Sequence, residues 1–117
     1  MHLKQIFLAS GIILACSSLG SPASAASFDC TKPDLAADEK AICDNRTLND
    51  QDVKMVTTFD ILTQLMAMGA RDTLREEQSK WLKRRQECAA DVACLTGAYE
   101  ERMKKLGEAF QSINRPL

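Results

Sequence analysis

Gln78-x-x-Trp81-Leu82-x-x-Arg85-x-x-Cys88, followed by Cys94-Leu95-x-x-x-Tyr99-x-x-Arg102-x-x-x-Leu106, is the stretch whose reading decides the fold. It holds the only Trp and the only Tyr of the chain, together with two cysteines. Its large apolar residues recur every three or four positions, which places them on one face of a helix and is incompatible with the two-residue repeat of a strand. Two arginines share that face. The spacing predicts a helix from about Thr73 to Ala90, with Leu74, Gln78, Trp81, Arg85 and Cys88 on one stripe. It predicts another from about Asp91 to Ser112, with Leu95, Tyr99, Arg102, Leu106, Phe110 and Ile113. Asp91 is the expected N-cap, and Pro116 closes the chain.

Working back toward the N-terminus, Leu48, Asp52, Met55, Phe59, Leu62 and Met66 alternate spacings of four and three, a second long helical stripe. Thr47 or Asn49 is expected to cap it, Gly69 to end it, and Asp72 or Thr73 to start the next helix. The connection is a few residues long, so the two helices are antiparallel. A turn centred near Gly69 to Ala70 puts Met55 opposite the neighbourhood of Arg85 and Asp52 opposite that of Cys88. A shorter helix is expected from Asp34 to Asn45, with acids at Asp34, Asp38 and Glu39 suited to its positive end. The fold class is therefore all-α: a small disulfide-stapled bundle of about four helices built on a long antiparallel hairpin.

Residues 1–25 have the pattern of a signal peptide. An apolar run from Ile6 to Ala15 precedes small residues at Ala23 and Ala25, fitting cleavage after Ala25, with cleavage after Ala26 as the near alternative. The run is too short to cross a bilayer, at ~15 Å as a helix. Ile13-Leu14-Ala15-Cys16 offers a second reading, a lipid anchor on Cys16. Residues 26–117 then form one exported domain, periplasmic or secreted, with no transmembrane segment.

Four cysteines remain in that domain, Cys30, Cys43, Cys88 and Cys94, and an even count in a small exported chain reads as two disulfides. Proximity at one end of the hairpin does not choose among the three pairings. The short local loops favour Cys30–Cys43 with Cys88–Cys94.

Several function classes are disfavoured by composition. With 15 basic against 16 acidic residues, the chain lacks the basic excess of a sequence-independent nucleic-acid binder. Its only histidine, His2, lies in the leader, so the domain has no imidazole for a triad or a proton shuttle. The cysteine spacings match neither a zinc ribbon nor a Cys-x-x-Cys redox motif. No catalytic, cofactor-binding or metal residue is assigned, and the expected activity is not enzymatic.

Asp52, Gln78, Arg85 and Arg102 nonetheless occupy apolar stripe positions. Buried charges need partners, and the expected ion pairs are Asp52 with Arg85 and Glu39 with Arg102. Two readings are open for these residues, a structural network between helices and an anion-binding pocket.

The stretch quoted first, together with Phe28-Asp29-Cys30, Glu39-x-x-Ile42-Cys43 and Leu48-x-x-x-Asp52, resembles the lysozyme inhibitor LprI-like domain family. These are small exported or lipid-anchored bacterial proteins. The resemblance runs from Phe28 to about Leu106. It departs at Gln51, where the family usually has an apolar residue, and at Phe59, where it often has Tyr. What it implies is a binding protein with a protein partner, a lysozyme for the member that names the family, acting by occlusion of a cleft. Lys80, Lys83 and Arg84 are the candidates for meeting the enzyme's carboxylates. The alternative is a periplasmic interaction module with a different partner. The pattern sets no oligomeric state.

Overall fold

The structure, a computed structural model, describes residues 26–113. Residues 1–25, which hold the expected leader and Cys16, and residues 114–117, which hold Pro116, lie outside the described residues. Helices α1 (Ala37–Asp44), α2 (Arg46–Leu65), α3 (Met68–Glu87) and α4 (Val92–Gln111) follow one another with short connections, and no strand occurs among the described residues. The last three are each 20 residues long and form the bundle, against which α1 packs at one end.

Helix α3 runs antiparallel to α2, and α4 turns back beside α2 in the same direction. Asp52 therefore meets Tyr99 near one end, while Leu62 and Leu106 share a wall further along. The core follows the stripes. Leu48, Met55, Leu62 and Met66 of the α2 stripe, Leu74 and Trp81 of α3, and Leu95, Tyr99 and Leu106 of α4 are buried. Burying each large side chain contributes about 1.5–3 kcal/mol. The stripe ends are less buried: Leu82 and Phe59 sit at the margin, and Phe110 is exposed.

The caps differ from the expected ones. Asn45 serves two helices, ending α1 and accepting the Leu48 amide at 3.1 Å as the N-cap of α2, so Thr47 and Asn49 lie inside the helix. Helix α2 stops at Leu65, where Met66 is extended, and α3 starts from Ala67 with no side-chain cap. Gly69, read as a stop, belongs to the first turn of α3, and Asp72 and Thr73 lie within that helix. The first turn tolerates a residue of low helix propensity because its amides are unpaired in any case.

Moving the turn to Met66 and Ala67 shifts the hairpin register. Met55 meets Gln78 rather than Arg85, and Asp52 meets Arg85 rather than Cys88.

Cys30 is bonded to Cys43 and Cys88 to Cys94, with Cα separations of 5.8 and 5.5 Å. The first bridge ties the loop before α1 to its last turn. The second staples the α3–α4 turn, where Asp91 caps α4 through the Cys94 amide at 3.0 Å and Ala89 takes a left-handed φ of 47°. Both bridges stand at the end of the bundle remote from the Met66–Ala67 turn. They indicate an oxidising environment. No described helix is long and apolar enough to cross a membrane.

Candidate functional site

The polar stripe residues form two buried clusters along the bundle axis. In the first, the guanidinium of Arg85 is the hub. Its Nε donates to Asp38 Oδ2 at 2.9 Å, and its Nη1 lies 3.6 Å from Asp52 Oδ1 and 3.5 Å from the Tyr99 hydroxyl oxygen. The Tyr99 hydroxyl donates to Asp52 Oδ1 at 2.8 Å, and the Ser27 amide donates to Asp52 Oδ2 at 2.7 Å. The rings of Phe28 and Trp81 approach the same guanidinium, with centroids 5.6 and 5.9 Å away. Trp81 is held in turn by a 2.9 Å bond from Nε1 to the Ala98 carbonyl and by an edge contact to Tyr99 at 5.3 Å. Four elements and the N-terminal loop thus converge on one charge.

The second cluster sits closer to the Met66–Ala67 turn. Arg102 Nε donates to Gln78 Oε1 at 2.7 Å, Nη2 reaches the Leu74 carbonyl at 3.4 Å, and Nη1 is 3.6 Å from Glu77. The Gln78 amide nitrogen contacts Met55 Sδ at 3.2 Å. Burial holds the Arg102 guanidinium below its ordinary pKa, partly offset by Glu77.

Of the two expected ion pairs, Asp52 with Arg85 is present and Glu39 with Arg102 is not. Glu39 is spent locally: its Oε2 accepts the Ala36 amide at 3.0 Å at the start of α1, one half of a capping box, since an alanine N-cap has no side-chain acceptor to return the bond. Arg102 lies too far toward the other end of the bundle to meet it and uses Gln78 and Glu77 instead. Asp38 is the residue that sequence reasoning missed. It is 1% exposed and makes the closest contact to Arg85. Its signal was the four-residue spacing to Ile42, the fully buried residue of α1, which puts both on the inward face.

The arrangement explains the protonation of Tyr99. Burial, then the neighbouring Asp52 carboxylate, push its phenol well above the ordinary value of 10.0. A raised folded-state pKa stabilises below the unfolded value and loses that stabilisation as pH rises. The native protein should therefore weaken above pH ~10, by about 1.4 kcal/mol per unit from this group. Urea unfolding at pH 9 and 11 checks it: Tyr99→Phe, although weaker at pH 9, should lack that share of the alkaline loss. An identical loss in the variant would assign it to other groups.

Arg85, at 4% exposure, is enclosed, and Arg102, at 3%, shows only its edge. The surface groove at that edge runs between α3 and α4 and is lined by Glu77, Lys80, Arg84, Glu101, Arg102 and Lys105, with a volume of about 230 Å³. It brings Lys80 and Arg84 together and leaves out Lys83. Lys105, which the sequence did not single out, faces them from α4. Four cations and two carboxylates line it, and Glu76 and Glu108 at its rim bring the charges into balance. Each cation also has an acidic neighbour: Lys80 with Glu76 at 2.7 Å, Arg84 with Glu101 at 3.6 Å, Arg102 with Glu77, and Lys105 with Glu108 at 3.3 Å. Among the described residues, no group of three His, Cys, Asp or Glu side chains stands close enough to hold a metal ion.

These features define a small disulfide-stapled helical bundle with a buried ion network and a charged groove on its surface. Comparison with family models, with curated proteins and with solved structures gives no match.

Proposed function

We propose that the chain is an exported binding protein of the envelope or the extracellular space, of the lysozyme-inhibitor type that its sequence resembles. It acts by occupying a cleft rather than by chemistry. The α3–α4 groove carries this reading: Lys80, Arg84 and Lys105 ring it over the edge of Arg102. A glycosidase cleft presents a pair of catalytic carboxylates, and the exposed cations of the groove, Lys80, Arg84 and Lys105, complement them on a rigid scaffold. The two disulfides suit a protein that works outside the cytoplasm.

The test is a titration of residues 26–117 against c-type and bacterial lysozymes on cell-wall substrate. Inhibition is expected in the micromolar range, with Arg84→Glu weakening it about tenfold through lost complementarity. Absence of inhibition at micromolar excess, with helical circular dichroism intact, would rule out the reading for the enzymes tested.

The pairing of every groove cation with a neighbouring carboxylate favours a second reading, a periplasmic interaction module that binds a different protein and inhibits no lysozyme. Recovery of a distinct partner by the immobilised domain from envelope extract, together with a negative lysozyme titration, would select it.

A further inference from the structure

The Arg85 cluster is one positive charge short. Two carboxylates, Asp38 and Asp52, are buried at 1% and 0% exposure against a single guanidinium. Tyr99 brings a neutral hydroxyl, and no other cation is paired with either acid among the described residues. A buried carboxylate without full compensation costs several kcal/mol. The remaining contact to Asp52 is the backbone nitrogen of Ser27, 2.7 Å from Oδ2. That nitrogen stands immediately beside the expected leader cleavage sites, after Ala25 or after Ala26.

We propose that the α-ammonium created when the leader is removed is the second cation of this cluster, seated on the Asp52 carboxylate. The inference rests on the reading of residues 1–25 as a cleaved leader. Hydrolysis adds one water across the peptide bond, leaving a carboxylate on the leader and an amine on the mature chain. That amine takes up a proton at neutral pH, since its ordinary pKa is about 8. If the bond after Ala26 is cut, the Ser27 nitrogen itself becomes the ammonium, already at the 2.7 Å spacing of a charge-assisted bond. If the bond after Ala25 is cut, the ammonium of Ala26 lies one backbone step away, about 3–4 Å from the Ser27 nitrogen. Ala26 is itself only 8% exposed and is grouped with the buried core residues. Removal of the leader thus completes the buried network and favours the folded domain in its processed form.

The experiment compares the domain beginning at Ala26, and the domain beginning at Ser27, with their Nα-acetylated counterparts. Acetylation removes the charge and leaves the fold's other contacts intact. We expect at least one free-amine form to melt about 4–8 °C above its acetylated counterpart, the shift of a pair worth about 1 kcal/mol in a domain of this size. The difference should disappear in Asp52→Asn. Because that variant could fail to fold, a second readout uses the native sequence. The α-amine should react with an amine-selective acylating reagent at least tenfold more slowly than that of an unstructured Ala-Ser-Phe peptide. Equal melting temperatures for both pairs with peptide-like reactivity would overturn the proposal. The leader reading is tested separately by the mass of the exported protein. A mature mass that retains residues 1–25 would overturn processing, whatever the melting comparison shows.

Discussion

Arg85→Ala is expected to remove about 3–5 kcal/mol of stability, because it leaves the carboxylates of Asp38 and Asp52 buried without their guanidinium. A small domain has only about 5–15 kcal/mol in total, so the variant should be largely unfolded at mild urea concentrations. The loss exceeds the worth of the ion pair itself. An intact buried pair often contributes little beyond a well-packed apolar replacement, whereas an orphaned charge is costly. The same reasoning sets the sign of a second substitution. Asp38→Asn in the Arg85→Ala background should recover part of the loss, since it removes one of the stranded charges, and the two effects should be far from additive. Equilibrium urea unfolding of the four proteins in this cycle measures both quantities. An Arg85→Ala protein of unchanged stability that had lost partner binding would instead make Arg85 part of a binding site. Its 4% exposure argues against that outcome.

The residues that make this network were legible in unequal measure, and the reasons are physical. Asp52, Gln78, Arg85 and Arg102 stood out because long helices carry strong periodicity, and a polar residue on an apolar stripe is conspicuous. Their partners were harder to find. Helix α1 is only eight residues long with one large apolar residue, so its rotation was weakly specified by pattern. Adjacent residues on a helix differ by about 100° in direction, and that separates Asp38, facing Arg85, from Glu39, which caps the helix. The hairpin register failed for a related reason. Glycine marks helix ends in sequence, but Gly69 falls at the start of α3 rather than the end of α2. An error of a few residues at the turn then moved the partner of Met55 by two helical turns and that of Asp52 by one, and the Asp52–Arg85 pair still forms. Gln51, by contrast, stands out in the sequence as a polar residue where an apolar one is expected. Its Oε1 is buried and has no hydrogen-bond partner among the described residues, an arrangement that an apolar side chain would avoid. The groove between α3 and α4 was half visible. Lys80 and Arg84 share a helical face by their spacing, but Lys105 joins them only through the packing of α4.

Removing the Cys30–Cys43 bridge should be more damaging than removing Cys88–Cys94, at about 3 kcal/mol against about 2 kcal/mol on loop-closure grounds. The bridges close segments with sequence separations of 13 and 6, so the first restrains the unfolded chain more. Native context widens the gap. The Cys88–Cys94 turn is also held by the Asp91 cap and by the two helices it joins, whereas residues 26–36 form no helix. That segment is fixed by the bridge, by Phe28 against the Arg85 guanidinium, and by the Ser27 amide on Asp52. Without the bridge, holding those contacts requires ordering the loop afresh, at a backbone cost of about 1–2 kcal/mol per residue. The loop should therefore detach before the bundle unfolds and expose Asp52 to water. Urea unfolding of Cys30→Ala/Cys43→Ala and Cys88→Ala/Cys94→Ala measures the ranking, and exchange of the Ser27 amide follows the loop. Faster amide exchange in the first variant alone, at urea concentrations where α2 to α4 remain helical, is the expected result. Equal losses and equal exchange would mean that the bundle, and not the bridge, holds the N-terminal segment over the buried network.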